Sequence, residues 1–165
     1  MGRLVIVSGP TGAGKTTHAM AVADEIGAVR FSIDTWMQTL FAKDMRSLDF
    51  PWIVERVERC LEQIGEIAGQ ILARRGSVVL DLGFRTRAQR DRFVELAASH
   101  GVSAEIHHLD APLAVRRARV ARRNLEKDPA VYAFEVTEQM FDFMEPRFEA
   151  LADEELERGR VIGTA

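Results

Sequence analysis

A chain of 165 residues is long enough to bury a core and short enough for one domain. Its 47% hydrophobic and 28% charged residues are ordinary for a globular protein, and a net charge of −3 gives no general case for a chain that coats nucleic acid. The single cysteine, Cys60, excludes an intrachain disulfide, and no apolar stretch approaches the ~20 residues that span a bilayer.

The first predicted element is the run Arg3-Leu4-Val5-Ile6-Val7-Ser8, short, apolar and rich in β-branched residues, which reads as a buried strand. It starts almost at the first residue, so no signal peptide is expected and the location reads as cytoplasmic. Residues 9–16, Gly-Pro-Thr-Gly-Ala-Gly-Lys-Thr, then match the phosphate-binding loop G-x-x-x-x-G-K-[ST] completely. The backbone from Gly9 through Thr11, Gly12, Ala13 and Gly14 can turn its N–H groups around the phosphates of a nucleotide. Lys15 can reach the β- and γ-phosphate oxygens, the Thr16 hydroxyl suits Mg²⁺, and Thr17 stands beside them. A helix from Thr16 to Ile26 follows, stopped by Gly27, with its positive dipole end on the same anion.

Ala28 to Phe31 is the second predicted strand, leading into Ser32-Ile33-Asp34, where either Ser32 or Asp34 can cap a short helix over 35–42. Lys43 to Phe50 reads as a surface loop. Pro51 suits the first turn of a helix whose apolar stripe is Val54, Val57, Leu61, Ile64, Ala68, Ile71 and Leu72. Cys60 lies on that stripe and reads as a small buried hydrophobe. Ser77 to Leu82 is a third strand with Asp81 near its end. Residues 86–99 form an amphipathic helix, 103–109 a strand, and 111–124 a basic helix. Thr137 is placed to cap a helix carrying Met140, Phe141, Met144 and Phe148, and Arg160 to Gly163 adds a last strand.

Strands alternating with helices predict an α/β fold: one domain over 1–165 with a parallel, doubly wound sheet flanked by helices. Ligands in such sheets bind at the carboxyl ends of the strands, which brings the 9–16 loop, Asp34 and Asp81 to one edge.

Three groups there carry candidate chemistry. Asp81, ending an apolar strand, is placed to hold a water of the Mg²⁺ shell or the loop hydroxyl. Asp34 lies where an acceptor would meet the γ-phosphate, and phosphoryl transfer needs a base to orient and deprotonate the attacking hydroxyl. Five arginines occupy 116–123, with Arg116, Arg119 and Arg123 on one helical face; guanidinium forks suit phosphate oxygens, so this helix reads as a lid. His18, His107 and His108 show no metal-ligand spacing and read as structural. Trp36, Met37, Leu40 and Phe41 are either core or the wall of an acceptor pocket.

The loop at 9–16, Ser32-Ile33-Asp34, Val-Val-Leu-Asp-Leu-Gly-Phe at 78–84, the Arg-x-x-x-Arg of the basic helix and Phe141 to Glu149 together resemble the small P-loop kinases of the zeta-toxin, polynucleotide 5′-kinase, gluconate kinase and chloramphenicol phosphotransferase group. More narrowly, the chain is similar to the bacterial AAA-domain ATP-binding kinases. The resemblance implies a P-loop NTPase fold with an arginine-rich helical lid and ATP and Mg²⁺ as cofactors. By it, Asp34 activates the acceptor and Asp81 and Thr16 serve the metal. Lys15, Arg119 and Arg123 are on the phosphates, and Arg90 contacts acceptor or phosphate. Polynucleotide kinases of this group carry an arginine three residues past the catalytic aspartate. Here that position is Met37, next to Trp36, which points to a small, partly hydrophobic acceptor rather than a nucleic-acid end.

The expected activity is transfer of the γ-phosphoryl group of ATP to a hydroxyl of a small molecule. Two alternatives stand beside it: a polynucleotide or nucleoside 5′-hydroxyl kinase, and an ATP-binding switch without transfer. The acceptor and the oligomeric state are not legible in these residues.

Overall fold

The computed structural model describes residues 2–44 and 49–164. Part of the expected 43–50 loop, residues 45–48, therefore lies outside the described residues. Among those described, five strands form one all-parallel sheet in the order β2-β3-β1-β4-β5: β1 Leu4–Ser8, β2 Val29–Ser32, β3 Val78–Asp81, β4 Ala104–Asp110 and β5 Gly159–Gly163. The central strands are apolar on both faces because helices cover both. Val5, Val7, Val79 and Leu109 pack on one face against Ala19, Val22 and Ala23 of α1 (Lys15–Ile26). Leu4, Ile6, Leu80 and Ile106 pack on the other, against Leu61, Ile64 and Ala68 of α3 (Phe50–Ala73) and Phe93 and Ala97 of α4 (Arg87–Ser99).

Element ends follow local chemistry. Asp49 caps α3 by accepting the Trp52 amide, with Pro51 in the first turn, where its missing N–H costs nothing. Thr86 and Gln89 form a reciprocal capping box on α4. α2 spans Ile33–Phe41, and its cap is Ser32, whose Oγ accepts the Thr35 amide at 3.4 Å. Asp34 thus lies inside the first turn and is not spent as a cap.

The basic helix is α5 (Leu113–Glu126), and Thr137 caps α6 (Glu138–Met144) as expected from the sequence. That helix stops short of Phe148. Pro146 has no amide hydrogen to continue it, and the chain tightens into a 3₁₀ turn over Glu145–Arg147. Phe148 leaves in extended geometry and stacks on His108, ring centroids 5.8 Å apart. A short α7 (Asp153–Glu157) then delivers the edge strand β5. Cys60 is buried, and burial raises its thiol pKa, in keeping with an unreactive core residue. Among the described residues no helix is long and apolar enough to cross a membrane.

Candidate active site

The loop after β1 folds tightly against its neighbours. Gly12 has φ +80°, and a Cβ there would come within 2.6 Å of the Arg116 carbonyl oxygen of α5. Gly14, at φ +93°, is the residue that turns the chain into α1. The Lys15 ammonium donates to the Pro10 carbonyl at 2.8 Å, holding the side chain back along its own loop. Burial lowers the Lys15 pKa, while the charges of Asp81 and Asp34 oppose that shift.

The strand ends supply the carboxylates. Asp81, 6% exposed, accepts from the Thr16 side chain and from Arg30 Nη1 at 3.3 Å. Burial raises its pKa against the pull of Lys15, Thr16 and Arg30. Asp34 is half-buried and its pKa is raised, first by burial and then by the Asp81 charge, with Lys15 and Arg123 acting in the other direction. Residues 15, 34, 81 and 123 are therefore close enough to feel one another, although they come from four separate elements.

Asp34 and Thr16 share a cavity of about 170 Å³, walled on one side by Thr35, Gln38 and Thr39 of α2 and on the other by residues 129–133. Just past that second wall the chain is tied to Asn124 of α5, which donates to the Val136 carbonyl at 2.8 Å and accepts the Val136 amide at 3.2 Å.

The α5 arginines divide into different roles. Arg123 has the side chain turned to the site: its Nε is buried without a hydrogen-bond partner among the described residues, and its charge acts on both Lys15 and Asp34. A buried donor left unpaired costs about 1–3 kcal/mol, so this nitrogen suits an anion such as a phosphate oxygen. Arg119 donates to the Thr164 hydroxyl at 2.9 Å, which in turn donates to the Ala13 carbonyl at 3.0 Å, linking the helix to the loop. Arg116 is not on a lid face. It is buried, binds both Glu145 oxygens, and donates to the carbonyls of Thr11 and Ala111. Arg117 pairs with Asp142.

Three of the expected acceptor contacts lie elsewhere. Met37 is 8% exposed and belongs to the core with Ile33, one helical turn back, while Trp36 packs edge-on against Phe31. The cavity face of α2 carries Asp34, Thr35 and Gln38 because a helical period sends 33 and 37 to the side opposite the cleft. Arg90 is fully buried, its guanidinium bound to both oxygens of Glu155 and to the carbonyls of Phe84, Glu149 and Ala150. No donor is left over for an acceptor; it ties the 149–155 segment to α4.

Sequence reasoning passed over Arg30, an arginine inside an otherwise apolar strand, which lines the cavity with Asp34. The only signal was a charge out of place, four residues before the aspartate. It also passed over Thr164 and residues 129–133, which no spacing connects to the loop.

His18 and His107 are structural, as expected, but they form a chain. Arg160 Nε donates to His107 Nε2 at 3.0 Å, which fixes the His107 hydrogen on Nδ1, and Nδ1 meets His18 Nε2 at 2.9 Å. Burial, then Arg160 and His18, lower the His107 pKa to about 4.

Asp81 and Thr16 offer the hard oxygen donors that a cation of the Mg²⁺ type takes, one carboxylate and one hydroxyl beside a phosphate cradle. Those residues fit such an ion.

A glycine-rich loop closed by lysine and threonine, a carboxylate at the end of the adjacent parallel strand and an arginine-bearing helix across the edge define a P-loop NTPase with the fold of small kinases. The chain belongs to the AAA-domain family AAA_33, which matches residues 4–151. Among solved structures it is similar to a sugar kinase from Janibacter sp. HTCC2649, with 24% identity over 99% of this chain and 86% of that one and a TM-score of 0.68. A gluconokinase from Sinorhizobium meliloti 1021 shares 20% identity over 99% and 83%, with a TM-score of 0.64. Kti12 from Chaetomium thermophilum, solved with ADP-AlF3, shares 16% over 98% and 88%, with a TM-score of 0.71. At these identities the likeness establishes the fold. No curated protein sequence matches the chain.

Proposed function

We propose that the protein is an ATP-dependent phosphotransferase that moves the γ-phosphoryl group to a hydroxyl of a small acceptor. One observation carries this reading: Ser32 caps α2, so the Asp34 carboxylate is left facing a cavity that also holds Thr16 of the phosphate loop. A carboxylate with a raised pKa at that place is suited to take a proton from an acceptor hydroxyl. In the step, the acceptor oxygen forms the new bond to the γ-phosphorus, the bond to the β–γ bridging oxygen breaks, the hydroxyl proton goes to Asp34, and ADP leaves.

Lys15 and Arg123 lie where they can hold the phosphate oxygens and offset the charge that shifts toward the leaving group. Asp81 and Thr16 would hold Mg²⁺, which supplies charge neutralisation on the β- and γ-oxygens when bound. The segment 129–133, which runs on to Val136 and its bonds with Asn124 of the arginine helix, would exclude water from the cavity when α5 closes. The volume of about 170 Å³ favours a small acceptor over a polynucleotide end. The gluconokinase and sugar kinase among the structural neighbours are in keeping with this size class.

The test is ADP release measured across a panel of sugars, sugar acids, nucleosides, antibiotics and 5′-hydroxyl oligonucleotides. A small hydroxylated acceptor is expected to raise turnover above background hydrolysis, and Asp34→Asn to abolish the increase. If no acceptor does so, the transfer reading fails and the protein is a nucleotide-binding switch.

A further inference from the structure

We infer that Arg30 recognises an anionic group on the acceptor, so that the acceptor is a small polyhydroxylated acid carrying a carboxylate or phosphate. The inference rests on the reading of the Asp34 cavity as the acceptor site.

The position of Arg30 is the first observation. It sits on the edge strand β2 and lines the same cavity as Asp34 and Thr16. An arginine in a strand whose next side chain, Phe31, enters the core has to leave the sheet on the opposite face, and there the cleft receives it.

The second observation is how little of its hydrogen-bonding capacity the protein uses. Its one bond among the described residues is from Nη1 to Asp81 Oδ2 at 3.3 Å. That is long for a charge-assisted pair, which ordinarily lies near ~2.7–2.9 Å, and a guanidinium has about five N–H donors in a fixed fork. Arg90 and Arg116 in the same chain each bind a carboxylate through two nitrogens. Asp81 moreover accepts from Thr16, so its interaction with Arg30 is shared.

Third, the α2 side of the wall is of one kind, while Pro129, Ala130, Val131 and Ala133 make the facing side mostly apolar. Ser32, Thr35, Gln38 and Thr39 are neutral groups that donate and accept, suited to hydroxyls, and Arg30 is the one cationic side chain lining the cavity among the described residues. A neutral polyol would leave that fork facing only water and Asp81. An acid fills it bidentately and gives the guanidinium the charged partner that its long, shared bond to Asp81 does not supply. At about 170 Å³ the space lies below the roughly 300–1,000 Å³ of pockets for drug-sized ligands, which fits a short chain or single ring.

The experiment uses the full chain loaded with Mg²⁺ and a non-hydrolysable ATP analogue, and measures binding of matched pairs by calorimetry and ligand-observed NMR. One arm pairs aldonic acids with the corresponding alditols, and the other pairs sugar phosphates with the corresponding sugars, which separates a carboxylate from a phosphate. At least one acid is expected to bind tenfold or more tightly than its neutral partner. Arg30→Gln should remove that difference and Arg30→Lys should keep part of it, while affinity for the ATP analogue changes less than threefold in both. Thermal melts check that each variant is folded.

The inference is overturned if every acid binds no better than its partner or not at all. It is overturned equally if Arg30→Gln leaves the preference intact or weakens nucleotide binding as much as acid binding, because Arg30 would then only position Asp81. Parallel ADP-release assays separate the two readings. A neutral sugar phosphorylated in preference to its acid sinks the anion site and leaves the transferase standing. Arg30-dependent binding of an acid without transfer does the reverse.

Discussion

Arg90 and Glu155 meet in the interior as a two-pronged ion pair, Nε to Oε1 at 2.6 Å and Nη2 to Oε2 at 2.9 Å. They are 65 residues apart, and Glu155 also accepts the Ala152 amide at 2.9 Å, so the pair pins the start of α7 to α4. Breaking such a pair leaves a buried charge alone. Arg90→Ala is expected to destabilise the fold by about 3–5 kcal/mol, and Arg90→Met combined with Glu155→Leu should recover only part of the loss, because the carbonyls of Phe84, Glu149 and Ala150 and the Ala152 amide lose their partners. Urea unfolding midpoints of the two variants check this.

The division of labour between Ser32 and Asp34 gives a second expectation. Ser32→Ala should lower stability by about 1 kcal/mol through loss of the α2 cap and, because Ser32 also lines the cavity, raise KM for the acceptor while kcat is kept. Asp34→Asn should leave stability nearly unchanged and reduce the transfer rate by about 10²-fold or more, with ATP affinity retained. Chemical denaturation and single-turnover kinetics on both variants separate the cap from the base.

Arg123 should serve the reaction and not the fold. Its Nε is buried with no hydrogen-bond partner among the described residues, so Arg123→Gln is expected not to lower stability and to raise it by up to about 1–3 kcal/mol. The same change should lower kcat by about 10²-fold, the scale of losing one preorganised donor to a phosphate oxygen. Arg116→Gln should do the opposite, lowering the melting temperature first, because Arg116 joins the phosphate loop to Glu145.

The chain Arg160–His107–His18 makes stability depend on pH in a definite direction. The His107 pKa is about 4 in the fold against about 6.5 in the unfolded chain, so the unfolded state binds more protons between those values. Its contribution is complete above pH ~6.5 and is lost as pH falls toward ~4, at a slope of at most about 1.4 kcal/mol per pH unit. His18, also lowered by burial, adds in the same direction. The slope of unfolding free energy between pH 6.5 and 4.5 should flatten in His107→Gln. An unchanged slope would place the dependence on other groups.

The residues that local rules govern were legible in the sequence. Strand periodicity, Gly-rich loop and cap signals place β1, the phosphate loop and α1 within a residue or two, and the parallel alternation of elements places Asp34 and Asp81 at one edge. These depend on contacts a few residues apart or on a topology rule with almost no alternatives. What failed was the assignment of side chains to partners. Helical spacing cannot say whether Met37 or Gln38 faces the cleft until α3 covers one side of α2. Arginines at 90, 116, 119 and 123 look alike as letters. The fold gives the first to Glu155, the second to Glu145, the third to Thr164, and turns the fourth toward the site. A charge takes its role from the opposite charge or the unfilled space it meets, and those come from distant segments. The sequence by itself therefore determined the phosphate loop and its class of protein, while the tertiary structure alone decided which arginines are spent on the fold and which, Arg30 and Arg123, keep donors the described fold does not use.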